Sequence, residues 1–157
     1  MQSNPQFMEK AIALATENVV SGHGGPFGAV IVRDGQILAT GVNSVTATND
    51  PTAHAEVTAI RNACAAIGNF QLQGCHIYTS CEPCPMCLAA IYWSRCDAIF
   101  YGSCAADAAK AGFDDAYLYD EVKLPHDQRH IPTINLLREQ AWSSFQAWCD
   151  HAGRIDY

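Results

Sequence analysis

The chain has 157 residues, 49 % of them hydrophobic and 16 % charged, a composition that fits one compact domain with a proper core and excludes disorder. Nine Lys and Arg against sixteen Asp and Glu leave a net charge of −7, which argues against a dedicated nucleic-acid binder, since phosphate contacts need a basic face. No stretch approaches the ~20 consecutive apolar residues of a membrane span, and no basic segment followed by an apolar run marks an export signal, so neither a membrane partner nor secretion is expected.

Ser3-Asn4-Pro5-Gln6 predicts a helix start, with Pro accepted in the first turn and Gln6 able to close a capping box on Ser3. Met8, Ile12, Ala15 and Val19 continue it as an apolar stripe ending near Gly22. His23-Gly24-Gly25-Pro26 is a turn, and residues 27–33 and 36–42 flank Asp34-Gly35, a strong two-residue hairpin signal. Asp50 or Thr52 then caps a helix whose face is Val57, Ile60, Cys64 and Ile67, and Gly68 stops it. Residues 75–79 read as a buried strand, and 83–94 as a helix apolar nearly all round and therefore central. Residues 97–102 form the next strand, followed by an alanine-rich helix to Ala111-Gly112. Residues 120–132 are charged and loop-like, and 133–137 suggest a last strand. The tail carries Trp142, Phe145, Trp148, Cys149 and Ala152 on one helical face that must be buried against something. Five strands alternating with helices predict one domain over 1–157, a three-layer α/β/α fold with a central mixed five-stranded sheet.

His54-Ala55-Glu56 and, 27 residues on, Pro83-Cys84-Pro85-Met86-Cys87 carry the chemistry. The spacing puts His54 and Glu56 in the first turn of one helix, Cys84 and Cys87 in the first turn of another. Residues three apart share a helical face, so both sulfurs can grip one ion, and the positive helix end favours their thiolates. Two sulfurs and a nitrogen suit Zn²⁺ and disfavour Mg²⁺ or Ca²⁺. Structural zinc sites close with four protein ligands, whereas catalytic ones use three and leave a position for water. Cys81-Glu82-Pro83-Cys84 is a second C-x-x-C, and a fourth ligand from Cys81 would give a closed, non-catalytic zinc module. Cys81 precedes Pro83 at a strand end, however, off the shared face. Three ligands and a spare acid predict one zinc per subunit, a water activated on it, and Glu56 carrying that water's proton to the substrate. The plain alternative for Glu56 is a solvated first-turn acid favoured by the helix dipole. With two cysteines committed to metal, Cys64, Cys75, Cys81, Cys96, Cys104 and Cys149 read mostly as buried free thiols in a reducing, cytoplasmic setting.

These residues match the cytidine deaminase-like zinc hydrolase superfamily, whose signature joins His-x-Glu to Pro-Cys-x-x-Cys. Gly24-Gly25-Pro26-Phe27-Gly28-Ala29-Val30, Asn49-Asp50-Pro51-Thr52-Ala53-His54-Ala55-Glu56-Val57, Thr79-Ser80-Cys81-Glu82-Pro83-Cys84-Pro85-Met86-Cys87 and Gly112-Phe113-Asp114-Asp115 together resemble its bacterial guanine deaminase branch. The tail from Phe145-Gln146-Ala147-Trp148 to Tyr157 resembles it too. The resemblance implies guanine plus water giving xanthine and ammonia, with attack at C2. It implies Asn43 as a reader that donates and accepts, and Asp115, chosen over Asp114 by alignment, as acceptor from a ring N–H and proton relay. Phe27 and Trp93 become ring walls, Ala55 a further contact, and Tyr157 a hydrogen-bonding group at the open side. The segment from about 138 to 157 is expected to be exchanged between two subunits of a homodimer. Against these stand plainer readings: Asn43 as a turn residue, Phe27 and Trp93 as core, the two aspartates as a solvated pair, Tyr157 as a frayed end. Guanosine, cytosine and transfer-RNA adenosine are the alternative substrates, though a tail covering the pocket leaves little room for ribose.

Overall fold

The computed structural model describes residues 3–113 and 115–157. Asp114, one member of the predicted acidic pair, lies outside them. The described chain forms two compact units that divide between Tyr119 and Asp120.

The first unit opens with α1 (Pro5–Val20), capped by the Asn4 side chain, which accepts from the Gln6 N–H at 3.0 Å. A hairpin of β1 (Gly28–Arg33) and β2 (Gln36–Val42) follows, turned by Asp34-Gly35 with φ of 51° and 72°. Both angles positive is the turn whose twist matches the flanking strands. A single turn, α2 (Val45–Thr48), leads to α3 (Ala55–Ile67), β3 (Cys75–Cys81), α4 (Pro85–Ser94), β4 (Ala98–Ser103), α5 (Ala105–Lys110) and α6 (Asp115–Glu121).

The sheet order is β2-β1-β3-β4, with β1 antiparallel to both neighbours and β3 parallel to β4 across the α4 crossover. Side chains alternate between its faces. Ala29, Ile31 and Ile77 pack with Ala55, Ala59 and Ala63 of α3 and with Ile91 of α4, while Val30, Val32 and Tyr78 pack against Ala11 of α1. Each buried isoleucine contributes ~1.5–3 kcal/mol. These are the three expected layers, on a mixed sheet.

The sheet has four strands among the described residues, however, not five. Residues 133–137 form no strand, and Ile134 and Leu136 are exposed. A strand exists only through ladder bonds to a neighbour, and an apolar run alone does not supply one. The α1 stripe is also rotated from expectation. Ala11, Ala15 and Asn18 are buried, whereas Ile12 and Val19 are exposed. Small residues win that face because Gly28 runs close beneath it, leaving a Cβ there only 2.5 Å from the Ala11 carbonyl. On α3 the alanines are the fully buried residues, with Ile60, Cys64 and Ile67 of the expected face packed beside them, for a related reason. A Cβ at Gly41 of β2 would collide with the Ala55 carbonyl and the Ala59 N–H. Nor is α4 buried all round: Cys87, Ile91 and Ser94 face inward while Tyr92 and Trp93 are exposed.

The second unit, Asp120–Tyr157, holds a 3-10 turn at His126–Gln128 and the helix α7 (Arg138–Asp150). Within it Glu121 Oε2 accepts the His130 N–H at 2.9 Å. The aromatic face of α7 is not buried: Trp142 and Phe145 are each 59 % exposed and their rings lie 5.5 Å apart. A cleft of about 650 Å³ runs beside them, lined by Leu136, Arg138 and Glu139 among others. Among the described residues no helix is long and apolar enough to cross a membrane.

Candidate metal centre and active site

His54 and Cys84 are N-cap residues, one step earlier in their helices than the spacing predicted. Both have the extended backbone of a cap (φ, ψ of −71°, 159° and −65°, 167°), and neither caps with its side chain. That position ordinarily takes Ser, Thr, Asp or Asn to satisfy the free helical N–H groups. Here the cap residue aims its side chain at a common point instead. The predicted caps Asp50 and Thr52 bond each other: Asp50 Oδ1 accepts the Thr52 N–H at 2.8 Å and its hydroxyl at 2.7 Å.

Among the described residues, His54, Cys84 and Cys87 have ligand atoms that all lie within 4.8 Å of one another. The His54 Nδ1 stands 3.6 Å from the Cys84 Sγ and 3.4 Å from the Cys87 Sγ. Zn–S bonds of ~2.3 Å and Zn–N bonds of ~2.0–2.1 Å at tetrahedral angles require N···S edges of about 3.6 Å. The donor set therefore fits zinc in both chemistry and spacing. Cys81 is engaged elsewhere, its thiol directed to the Cys104 carbonyl at 3.8 Å and pushed up to about 11, chiefly by burial. Within the cluster, a hydrogen bond with Cys87 and another with His54 bring the Cys84 thiol down to about 4. The same bond to Cys84, with burial, drives Cys87 upward. His54 is raised, first by its bond to Cys84 and against its own desolvation. Metal binding takes both cysteines as thiolates and releases their protons.

Glu56, at the second position of α3, is only 4 % exposed, and burial raises its carboxyl above the usual range. It is no solvated surface acid. The Thr79 hydroxyl donates to its Oε1 at 3.1 Å. Asp115 opens α6, half-buried, and its charge acts on His54 and Cys81. The Tyr119 hydroxyl donates to the Pro83 carbonyl at 2.8 Å, tying α6 to the turn that presents Cys84. Ala55 is fully buried at the first position of α3.

Asn43, just past β2, is almost fully buried, and its Oδ1 faces the Gly25 and Val45 N–H groups, each at 3.4 Å. Its backbone is clasped more tightly. Asn18, 4 % exposed on α1, donates through Nδ2 to the carbonyls of Asn43 and Gly25, both at 2.8 Å. A Cβ at Gly24 would strike the Asn43 carbonyl, so this loop passes where only glycine fits. Phe27 is half-buried, edge-on to Phe113 at 4.8 Å. Trp93 sits six residues beyond Cys87 in the last turn of α4, 61 % exposed, with the Arg95 guanidinium 5.6 Å from its ring. Tyr157 belongs to the second unit, 70 % exposed and edge-on to Trp148 at 6.3 Å. Of the sequence candidates, the structure thus gathers His54, Cys84, Cys87 and Glu56, with Asp115 in electrostatic range, and leaves Trp93 facing outward.

Sequence reasoning missed Thr79, Asn18 and Tyr119. Asn18 had a usable signal, because it completes the i, i+4, i+7 row of Ala11 and Ala15. Thr79 had a weaker one, a hydroxyl in an otherwise buried strand. Tyr119 had none, since α6 was not expected. Of the six other thiols, expected to be mostly buried, Cys75 and Cys81 are buried, Cys64 and Cys96 half-buried, and Cys104 and Cys149 exposed.

A three-layer fold that brings two cysteines, a histidine and a buried acid to two helix N-termini defines a zinc-dependent hydrolytic enzyme. The model of the cytidine and deoxycytidylate deaminase zinc-binding region matches residues 1–103. The chain is similar to guanine deaminase of Bacillus subtilis (strain 168), 55 % identical over 151 residues that cover 96 % of this chain and 97 % of that protein. The crystal structure of guanine deaminase from Bacillus subtilis superposes with a TM-score of 0.96 at 53 % identity, over 99 % of each chain. Similarity to a tRNA-specific adenosine deaminase of Agrobacterium fabrum, 46 % identical, spans 50 % of this chain and 51 % of that protein. The chain belongs to the cytidine and deoxycytidylate deaminase zinc-binding family.

Proposed function

We propose that this protein hydrolyses guanine to xanthine and ammonia. The observation that carries the substrate is the end-to-end likeness to guanine deaminase from Bacillus subtilis, tail included, whereas likeness to transfer-RNA adenosine deaminases covers half to two thirds of the chain. The net charge of −7 supports a small base over a polynucleotide.

Zinc held by His54, Cys84 and Cys87 would supply Lewis acidity that brings the pKa of a bound water from ~16 to about 7. Glu56 takes a proton from the attacking water and delivers it to a ring nitrogen, making C2 electrophilic. Once the C2–O bond has formed, Glu56 takes the remaining proton of the new C2 hydroxyl and passes it to the amino nitrogen; the C2–N bond breaks as C2=O forms, and ammonia leaves. Burial suits Glu56 to this, because raising its carboxyl above the usual carboxylate range strengthens its hold on the proton it takes before giving it up. Asn43 reads the base through its amide, Asp115 accepts from a ring N–H and relays protons, and Ala55 offers the free N–H of a first helical turn. Phe27 flanks the ring.

Two copies form a homodimer in which the segment from about 138 to 157 crosses over and Tyr157 closes the partner's site. The support is the uncovered aromatic face of α7, since exposed apolar patches of that kind mark interaction surfaces. Eight free thiols support a reducing, cytoplasmic setting. The test is ammonia release by the zinc-loaded protein from guanine, guanosine, cytosine and a transfer-RNA anticodon stem. Guanine alone should yield ammonia with equimolar xanthine, and ammonia from another substrate but not from guanine would overturn the assignment.

A further inference from the structure

Glu56 has two carboxylate oxygens, and one of them is already held. Thr79 lies on the same face of β3 as Ile77, two residues on, and that face meets α3. Its backbone is fixed between Ala29 of β1 and Tyr101 of β4. From this anchored position its hydroxyl donates to Glu56 Oε1 at 3.1 Å, with both residues almost fully buried. A buried hydroxyl is costly unless bonded, and valine has the same shape with no such cost, so the oxygen of Thr79 answers to its partner. A β-branched side chain also has few χ1 states, which makes it a stiff support.

We propose that Thr79 is the positioning residue of the proton carrier: it pins Glu56 Oε1 to the sheet, so that Oε2 is the oxygen that moves protons between water and base. The role rests on the proposed function of Glu56 and extends it. A carboxylate that must serve first the water, then the ring nitrogen, then the leaving amine cannot spread its population over several rotamers. Thr79 restricts it from the sheet, a second element beside the carboxyl's bonds to its own backbone N–H and to Cys87.

The experiment pairs Thr79→Val and Thr79→Ser with Glu56→Gln. For each protein it measures zinc content, melting temperature, equilibrium binding of xanthine by calorimetry, and kcat and KM on guanine. Thr79→Val should keep one zinc per chain and bind xanthine within ~2-fold of wild type, while kcat falls ~10–100-fold and KM moves less than ~3-fold, the pattern of a misplaced catalytic group. Thr79→Ser, which keeps the hydroxyl, should recover kcat to within ~3-fold. In the Glu56→Gln background Thr79→Val should have no further effect, because the residue acts only through Glu56. A kcat retained in Thr79→Val overturns the role, as does equal loss in zinc content or xanthine binding, or full additivity with Glu56→Gln. A wild-type chain inert towards guanine overturns the proposed function and this role with it. An active wild type beside an unimpaired Thr79→Val overturns this role alone.

Discussion

Gly41→Ala places one methyl group against the helix turn that follows His54 and should disable the zinc site. The new Cβ would sit inside contact distance of the Ala55 carbonyl and the Ala59 N–H, both backbone atoms of α3 that cannot rotate aside. Carbon contacts settle at ~3.5–4.0 Å, so α3 must retreat from β2 by roughly 1 Å. His54 and Glu56 ride on the first turn of that helix, whereas Cys84 and Cys87 ride on α4 and do not move with it. Overpacking of this size costs about 1–3 kcal/mol. In a chain of this length that is a fall in melting temperature of roughly 2–12 °C. A misplacement near 1 Å lowers turnover by ~10²-fold. Thermal unfolding, zinc titration against a chromogenic chelator and guanine kinetics read the three effects separately. The variant should melt lower, hold zinc more weakly and lose about two orders of magnitude in kcat/KM. Wild-type melting and turnover in Gly41→Ala would refute the argument that helix-to-strand contact at this glycine sets the site's geometry.

Asn18→Ala strips both N–H donors of one buried amide and leaves the Asn43 carbonyl unpaired, while the Gly25 carbonyl keeps the Phe27 N–H, at about 1–3 kcal/mol, so unfolding should shift down while KM for guanine rises more than kcat falls. Equal KM in variant and wild type would separate Asn18 from base recognition. Stripping zinc with dipicolinate should abolish turnover and remove the stabilisation that native-state binding confers, ~4 kcal/mol at a thousandfold excess over Kd, and zinc should restore both. Acid should assist the stripping, since protons compete for Cys84 and Cys87. Turnover that persists after complete removal would contradict the metal's role. Deleting Tyr157 should raise KM about tenfold, the worth of one hydrogen bond, with zinc content unchanged. Unchanged kinetics would take the tail out of the site.

The metal centre was readable because its ligands are local, sharing helix starts at short spacing. The hairpin was readable for the same reason: Asp34-Gly35 encodes its own positive φ angles. What the sequence hid depends on approach between distant segments. The inward face of α1 is set by Gly28 passing beneath Ala11 and Ala15, so small residues displaced the larger stripe. His54 and Cys84 turned out to be caps because side chains committed to a metal leave that position without its usual hydrogen bond. Residues 133–137 have the apolar run of a strand but no ladder partner, and that is not written in their composition. The short α6, with Tyr117, Leu118 and Tyr119 crowded into seven residues, has no periodicity long enough to detect.

Glu56→Gln tests the account most directly, because it changes one buried oxygen and leaves all three zinc ligands in place. The variant should hold one zinc per chain, keep an unaltered fold and turn over guanine ~10²–10⁴-fold more slowly. Turnover near the wild-type rate in the zinc-loaded variant would contradict it.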